Sequence, residues 1–182
     1  MKKLTTAILV AFSVPLLAAK TKPELVHEAQ MSVLTKFIAS FNSDEISTVH
    51  ELFEITESGT DKLARQIYTQ HKVESLRHEV GKISALEEDS RFEKAADFEY
   101  PAYLVSPYNQ ADNRLGPSLG INIVFEDGTA SRALFSFSKY KKKRGTKIRM
   151  ITFILSDVTL RDKLNSREIE ISNKTKEILL KE

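Results

Sequence analysis

Two apolar segments joined by an Asp-Gly turn constrain the fold of this chain more than any other feature. Residues Leu119–Phe125 are apolar and rich in β-branched side chains, and Glu126–Gly128 follows them as a hairpin turn, because Asp-Gly tolerates positive φ angles. The returning segment Arg132–Ser138 alternates apolar and more polar residues, as a strand with one buried face does. Residues Ile148–Leu155 are apolar almost throughout, which is typical of a central strand covered on both faces. The pattern predicts an antiparallel sheet.

Three helices are predicted before this sheet. Pro23 can open the first helix, whose apolar residues recur at three- and four-residue steps as far as Phe41. Ser43 and the two acids after it indicate the start of a short second helix, which carries Ile46–Phe53. Thr60 or Asp61 can cap a third helix, and Gly81 is a plausible end for it.

Beyond the third helix the apolar period changes from helix to strand. Residues Ile83–Leu86 indicate a weak strand, and Phe98–Val105 indicates a second one that Pro101 restricts to a sheet edge or a bulge. Helices followed by consecutive antiparallel strands predict an α+β domain with its helices packed on one face of the sheet.

The N-terminal segment is typical of a secretory signal peptide. Lys2 and Lys3 precede an uncharged apolar stretch that ends in small residues at Ala18 and Ala19. We predict cleavage after Ala19, with a cut after Ala18 as the alternative. An uncleaved anchor is disfavoured, because about 16 apolar residues fall short of the roughly 20 needed to span a bilayer. The mature protein is therefore predicted to be periplasmic or secreted, bacterial, and without stable membrane insertion.

Composition excludes several classes of protein. The 182-residue chain contains no cysteine, which excludes disulfide scaffolds, thiolate zinc sites, iron–sulfur clusters and cysteine nucleophiles. It contains 27 basic and 25 acidic residues, and loss of the two signal lysines leaves the mature chain without net charge. Overall charge therefore does not indicate a nucleic-acid partner.

Basic residues are nevertheless concentrated between the last two predicted strands. Lys141, Lys142, Lys143 and Arg144 lie in a segment, residues 139–149, that contains no acid. Such a patch can attract phosphate or anionic lipid. We favour a solvated hairpin tip, because Gly145 and the flanking apolar runs mark a turn, where lysines also discourage edge pairing.

The four histidines do not predict a metal site. His71 and His78 are two helical turns apart on the third helix, about 10 Å, which is too far for both to bind one ion without a third element. His50 can act as a general base if it faces a cavity, but a solvated or capping role is favoured over it. His27 lies on the first helix. No metal and no cofactor are predicted.

Two other groups of residues are candidates for a pocket. Glu99 and Tyr103, with Asp97 nearby, lie on or before the second strand and can transfer protons or orient a polar ligand if both face inward. The favoured alternative is an exposed carboxylate and a core tyrosine. Aromatic residues of the later strands can line an apolar pocket, although filling the core is favoured over it: Phe125, Phe135, Phe137 and Phe153.

Two surface segments are candidates for contacts. The long loop Ser106–Gly120, with an exposed Tyr108, is the best candidate for a lid or a partner-binding surface. In the polar tail Ser156–Glu182, apolar residues line one side of a predicted helix: Leu160, Leu164, Ile171 and Ile178. We favour a helix lying on its own domain, with self-association or a partner helix as the alternative. The predicted organisation is thus a signal peptide at 1–19, a domain at 20–155 and a helical extension at 156–182.

The order of elements resembles the NTF2-like, or SnoaL-like, superfamily. The resemblance rests on Val33–Phe53 (VLTKFIASFNSDEISTVHELF), on Asn122–Phe137 (NIVFEDGTASRALFSF) and on Lys147–Leu155 (KIRMITFIL), which are similar to segments of secreted members of unknown function. It implies a cone in which a curved antiparallel sheet and helices enclose a cavity. Members of the superfamily use that cavity for isomerase, cyclase or dehydratase reactions, or only to bind a ligand. The loop at 106–120 and the tail depart from the family pattern.

Three functions are therefore open. The leading hypothesis is a secreted non-catalytic binding or accessory domain, with a small apolar ligand in the cone or with the cone filled by side chains. The second is a cone-pocket isomerase or cyclase with Glu99, Asp97 or His50 as base. The third is a protein-interaction module, homodimeric or heteromeric, that uses the loop and the tail. The Gly-x-Ser-x-Gly, phosphate-loop and His-Glu-x-x-His motifs are absent.

Overall fold

The structure is a computed structural model that describes residues 21–44, 46, 48–89, 102–108, 117–143 and 145–180. Helices precede a five-stranded antiparallel sheet, and two further helices close the chain, which confirms an α+β fold. In chain order the elements are α1 (Lys22–Asn42), the 3₁₀ turn η1 (Val49–Leu52), α2 (Gly59–Val80), β1 (Ile83–Glu88), β2 (Tyr103–Val105), β3 (Ser118–Phe125), β4 (Ala130–Phe137), β5 (Ile148–Leu155), α3 (Val158–Ser166) and α4 (Glu168–Leu179).

Helix α1 begins one residue before the predicted Pro23. The Thr21 N–H donates to the Glu24 carboxylate at 2.6 Å, and a proline stands in the first turn where no helical hydrogen bond is lost. Buried Leu34, Phe37 and Phe41 confirm the predicted apolar stripe. The helix ends at Asn42, whose side chain bonds the main chain at the start of β1.

The predicted second helix is mostly wrong. Of the segment Ile46–Phe53, Val49–Leu52 forms a single 3₁₀ turn. The Glu54 N–H donates to the Ile148 carbonyl at 2.7 Å, and Phe53 makes a parallel bridge with the same residue of β5. Because this pairing needs extended main chain at Phe53, the helix cannot continue through it.

Helix α2 ends where the sequence predicts. Gly81 follows it with a φ of +75°, a conformation that glycine adopts without the steric cost of a Cβ atom. At the other end the cap is Ser58 rather than Thr60 or Asp61. The helix is long, and buried residues lie along much of its length: Tyr68, Thr69, Lys72, Val73, Leu76 and Val80.

The strand order is β1-β3-β4-β5-β2, with all neighbours antiparallel. The predicted turn at Glu126–Gly128 is confirmed, since it joins β3 to β4 and the Gly128 N–H donates to the Phe125 carbonyl at 3.0 Å. Strand β5 is internal and largely buried, as predicted, but β4 is the middle strand. The β2 strand lies at a sheet edge, which confirms its predicted place, and residues 98–101 lie outside the described part of the chain.

The core lies on one face of the sheet. Leu34 and Phe37 of α1, Leu76 of α2 and Leu164 of α3 belong to the same buried cluster as the alternating residues of the strands. The strand residues of this cluster are Ile83, Tyr103, Val105, Leu119, Ile121, Ile123, Phe125, Ala133, Phe135, Phe137, Ile148, Ile151, Phe153 and Leu155. The packing of helices on one sheet face is the arrangement expected from the element order.

The polar tail forms two helices rather than one. Asp157 caps helix α3, because its carboxylate accepts the Leu160 N–H at 3.1 Å, and Arg167 separates α3 from α4. Leu164 is fully buried and Ile171 is 7% exposed. The described part of the tail therefore lies on its own domain, as favoured, with α4 packed along α2.

Candidate functional site

The four phenylalanines predicted as pocket candidates lie in the packed core. Phe125, Phe135, Phe137 and Phe153 are each at most 1% exposed. Ring centroids are 6.5 Å apart between Phe125 and Phe153 and 6.4 Å apart between Phe135 and Phe137, and Phe37 meets Phe135 edge-on at 5.5 Å. These are ordinary separations for rings that pack against one another. The geometry agrees with the core-filling alternative, and a ligand cavity against these rings stays a prediction.

The predicted pairing of Glu99 with Tyr103 stays a prediction as well. Glu99 and Asp97 lie outside the described residues. Tyr103 is fully buried, and its hydroxyl donates to the main-chain carbonyl of Lys72 at 2.8 Å. The tyrosine therefore faces helix α2, and its aromatic ring lies 4.4 Å below the Lys72 ammonium nitrogen.

Lys72 is a buried lysine at the centre of an ionisable cluster. Its side chain is 3% exposed, and its Nζ lies 3.7 Å from Oε2 of Glu168 on α4. The Tyr68 hydroxyl donates to the other carboxylate oxygen of Glu168 at 2.6 Å. Burial lowers the pKa of Lys72, against the opposing charge of Glu168, and burial also raises the pKa of Tyr68 and of Tyr103.

This cluster borders a cavity of about 100 Å³, which we call the Lys72 cavity. It lies at the β2 edge of the sheet, where α2, α3 and α4 meet β2 and β5. Its lining residues include Tyr68, Lys72, Leu104, Met150, Asn165 and Glu168.

A second and larger cavity lies between α2 and α4, and we call it the α2–α4 cleft. Its volume is about 350 Å³, within the range of small-molecule sites. Helix α2 contributes His71, Glu74, Ser75 and His78, and the facing segment contributes Arg167, Glu170, Ile171 and Lys174. Seven of these eight residues are polar, so the cleft suits a polar ligand.

His71 and Glu74 form a hydrogen-bonded pair within this cleft. The His71 Nδ1 lies 2.9 Å from one Glu74 carboxylate oxygen, and the Gln70 side chain donates to the other at 2.9 Å. The hydrogen bond with His71 is the main cause that holds the pKa of Glu74 below its usual value, and the charge of Lys174 adds to it. An ionised Glu74 accepts the proton on Nδ1, and the neutral imidazole with its proton on Nδ1 has a lone pair at Nε2.

The Nε2 atom of His71 is buried and has no hydrogen-bond partner among the described residues. The whole side chain is 15% exposed. An unpaired buried acceptor of this kind costs about 1–3 kcal/mol in the free energy of folding. Because the residue also lines the cleft, a hydrogen-bond donor on a ligand is one means of satisfying it.

The other histidines have separate environments. His27 is half-exposed and lies 3.7 Å from Glu88, whereas His78 is 75% exposed at the rim of the cleft. His50 lies in η1, half-buried, with its Nδ1 unpaired among the described residues. Within the described ranges no three His, Asp or Glu side chains are placed to hold one metal ion.

The basic segment forms the predicted hairpin tip. Lys141, Lys142 and Lys143 are exposed, and the side chain of Arg144 lies outside the description. The main chains of Lys141 and Gly145 exchange two hydrogen bonds, at 2.8 and 2.7 Å. The solvated turn is thus confirmed for the described lysines, and attraction of an anion stays a prediction.

The prediction of an exposed Tyr108 is wrong. Its side chain is half-buried, with its hydroxyl donating to Glu57 at 3.1 Å and accepting from the Thr56 N–H at 3.3 Å. The guanidinium carbon of Arg65 lies 5.3 Å from the ring centroid. These contacts hold the start of the 106–120 loop against the η1–α2 connection, while residues 109–116 lie outside the description.

Sequence reasoning missed the three residues that organise the two cavities, namely Lys72, Glu74 and Glu168. The first two have a detectable signal, because Tyr68 and Lys72 are four apart and His71 and Glu74 are three apart on one predicted helix, so each pair shares a face. Glu168 has none, since the tail cannot be placed against α2 from spacing alone.

Among the residues described, no helix is both long and apolar enough to cross a membrane. Comparisons with protein-family models, with curated proteins and with solved structures give no match for this chain.

Proposed function

We propose that this protein is a non-catalytic binding domain that holds a small polar ligand in the α2–α4 cleft. One observation carries the proposal, namely the buried and unpaired Nε2 of His71, a residue that lines that cleft. Folding leaves this acceptor without a partner among the described residues, although Glu74 holds the ring firmly from the other side. A ligand that donates a hydrogen bond to Nε2 recovers the cost of burying it.

The charges of the cleft indicate the class of ligand. Arg167 and Lys174 contribute two positive charges, and Glu74 and Glu170 contribute two negative ones. A balanced lining disfavours a ligand of large net charge, which would leave like charges facing it. We therefore propose a zwitterion of amino-acid size, with its carboxylate near Lys174 and its ammonium group near Glu170 and His71.

Isothermal titration calorimetry with free amino acids tests this proposal, with acetate and glucose as single-charge and neutral comparisons. The variant His71→Asn removes Nε2 but keeps an amide nitrogen near the position of Nδ1, so the bond to Glu74 can persist. We expect it to weaken binding about tenfold or more, the factor that corresponds to about 1.4 kcal/mol. The variant His71→Gln, which places an amide near the position of Nε2, should retain more affinity.

His27→Gln is the matched control, because it changes an exposed histidine on α1 outside the cleft. It should bind as the wild type does. Binding that survives in His71→Asn, or equal binding of acetate, glucose and amino acids, would count against the cleft as the site. Native mass spectrometry of protein purified from its own compartment adds a search for a ligand that remains bound.

The NTF2-like cone is our proposal for the finer description of the fold. The support is the order of elements and the packing of α1, α2 and α3 on one face of the antiparallel sheet. An apolar ligand in the cone is less favoured than a polar ligand in the cleft, because Phe135 and its neighbours fill the described core. An experimental structure of the mature chain, inspected for sheet curvature and for density inside the cone, tests both points.

A periplasmic or secreted location is proposed from the sequence of residues 1–19 alone. Mass spectrometry of the protein from its native compartment should give a chain that begins at Lys20, or at Ala19 if the cut falls one residue earlier. A chain that keeps Met1 would contradict export by a cleaved signal.

The second candidate is an acid–base enzyme in the same cleft. The orientation of His71 by Glu74 favours it, because a base needs a fixed lone pair directed at its substrate. This places the base on α2 rather than at His50, Asp97 or Glu99. Hydrolysis of a chromogenic ester above the rate given by free imidazole, lost in His71→Asn, would support this candidate over plain binding.

A protein partner or a homodimer is the third candidate. Two apolar side chains near the chain end favour it, since Ile169 is 73% exposed and Leu180 is 86% exposed. Deletion of residues 156–182 is not a clean test, because it removes the buried Leu164 from the core. Ile169→Glu and Leu180→Glu, compared by light scattering with the wild type, change the surface only; a wild-type monomer would contradict self-association.

A further inference from the structure

We propose that Lys72 is a reactive amine that captures small neutral aldehydes as a Schiff base in the Lys72 cavity. The site differs from the α2–α4 cleft, and the inference does not depend on the proposed function. Its residues come from α2, from the edge strand β2, and from β5, α3 and α4, so only the folded chain assembles it.

The first step of the argument is the position of the amine. The Lys72 side chain is 3% exposed, yet Lys72 lines a cavity of about 100 Å³ whose lining also includes Leu104, 38% exposed. The amine is therefore removed from bulk water and still borders space that a small molecule can enter. A volume of about 100 Å³ corresponds to several water-sized spheres, which suits a compound of a few heavy atoms.

The second step is that the ammonium group of Lys72 makes only weak contacts with its neighbours. The Lys72 Nζ is 3.7 Å from Glu168, well beyond the roughly 2.7–2.9 Å of a strong charge-assisted hydrogen bond. The short hydrogen bond of Glu168, 2.6 Å, is the one that its Oε1 accepts from the Tyr68 hydroxyl. The ring of Tyr103 provides a weaker cation–π contact at 4.4 Å.

The Tyr103 ring and the Glu168 carboxylate both favour the charged ammonium form of Lys72, whereas burial favours the neutral amine that a nucleophile requires. Burial lowers the pKa of Lys72 more than the charge of Glu168 raises it. Desolvated lysines of this kind are the ones that form Schiff bases in proteins.

The chemistry balances without a cofactor. The lone pair of Nζ forms a bond to the carbonyl carbon, the π electrons move to the oxygen, and that oxygen takes a proton from water to give a carbinolamine; the product is then a protonated Schiff base that keeps one hydrogen on Nζ. Glu168 can accept a proton from the nitrogen and return it to the hydroxyl, which leaves as water when the C=N bond forms. The carboxylate of Glu168 at the site disfavours anionic oxo acids, which is why the proposal specifies neutral aldehydes.

The test is reductive labelling of the full mature chain with acetaldehyde and cyanoborohydride near neutral pH, followed by peptide mass mapping over time. Exposed lysines such as Lys142 provide an internal comparison in the same tube. We expect Lys72 to gain an ethyl group several-fold faster than Lys142 and glyoxylate to label Lys72 more slowly than acetaldehyde does. Labelling of Lys72 at the rate of Lys142 or below would overturn the proposal.

Two controls separate a site from a merely reactive residue. Labelling in urea should abolish the preference for Lys72, because the cavity exists only in the folded chain; a preference that survives unfolding would contradict the proposal. Lys72→Arg retains a positive charge but cannot form the Schiff base, so the fast phase should be lost, whereas Lys142→Arg should retain it. The wild-type time course decides the question even if Lys72→Arg fails to fold.

Discussion

Asn42 and Ile83 exchange two hydrogen bonds across 41 residues of chain. The Asn42 amide donates to the Ile83 carbonyl at 2.9 Å, and the Ile83 N–H donates to the Asn42 side-chain oxygen at 2.8 Å. A side chain at the end of α1 thus pairs with the first residue of β1 as a neighbouring strand would. The pair connects the end of α1 to the edge strand β1 and satisfies the main-chain groups of Ile83.

Replacement of Asn42 by alanine tests this role. We expect Asn42→Ala to lower the free energy of unfolding by about 1–3 kcal/mol, because the partly buried N–H and carbonyl of Ile83 lose their partners. Asn42→Asp keeps the hydrogen-bond acceptor but loses the donor, so its free energy of unfolding should lie between those of the wild type and Asn42→Ala. Urea titration measures the change, and Asn173→Ala on the exposed side of α4 serves as control with a change below about 0.5 kcal/mol.

The fold was predictable wherever a local pattern decides the structure. The Asp127-Gly128 turn, the end of α2 at Gly81 and the apolar stripe of α1 all follow from residues that act within a few positions of one another. The second helix failed for the opposite reason. Phe53 has a helical neighbourhood in sequence, but its main chain pairs with Ile148, and a contact over so long a separation overrides local preference.

The candidate sites were less predictable than the fold. The sequence relates His71 only to His78, at a spacing that disfavours a metal site, and its partner Glu74 has the pattern of an ordinary solvated acid. The spacing of Tyr68 and Lys72 indicates a shared helix face but not burial of the lysine, since lysine is rarely buried unless its charge is compensated. Glu168, which provides that compensation, lies in the tail, and its place depends on how α4 docks on α2.

The attachment of α3 and α4 should depend on pH through Glu79. Its carboxylate on α2 accepts from Lys163 at 2.6 Å and from Arg167 at 2.7 Å, with its own side chain 8% exposed. The hydrogen bond from Lys163 is the main cause that lowers the pKa of Glu79, with Arg167 adding to it. A folded-state pKa below the unfolded value contributes stability above the unfolded pKa, and that stability is lost as the pH falls through the folded pKa.

We therefore expect Glu79→Gln to destabilise the protein at neutral pH, and the difference from wild type to shrink on acidification below the ordinary carboxyl pKa. Denaturant titrations of both proteins from about pH 7 to about pH 3 measure that difference. Glu177→Gln, at an exposed position of α4, is the charge-matched control and should show little difference at any pH. If Glu79→Gln lowers the free energy of unfolding equally at about pH 7 and about pH 3, the ion pairs are not the cause of the loss.

The aromatic core gives a prediction about ligand capacity. Phe135→Ala should cost about 3–5 kcal/mol, because the removed ring contacts Phe37 and Phe137 and leaves a cavity. If the wild-type core is already filled, a small aromatic compound such as benzene should stabilise the variant and not the wild type. Thermal unfolding with and without benzene measures this stabilisation. Equal stabilisation of the wild type would instead support the hypothesis that the cone binds an apolar ligand. Val158→Ala, at an exposed position, is the control.

At the basic hairpin tip, stability should depend on the backbone conformation of Gly145 and not on the charges of the lysines. Gly145 adopts a φ of +67°, which strains any residue with a Cβ atom, although a Cβ atom there would meet nothing within 4 Å. Gly145→Ala should therefore lower the unfolding free energy by about 1 kcal/mol through the backbone alone. Lys142 is exposed in the same turn, between the bridge partners Lys141 and Gly145. Lys142→Gln should therefore change the unfolding free energy by less than about 0.5 kcal/mol. Chemical denaturation measures the unfolding free energy of both variants. A larger loss of stability in Lys142→Gln than in Gly145→Ala would contradict a solvated turn, because it would give the lysine charge a structural role.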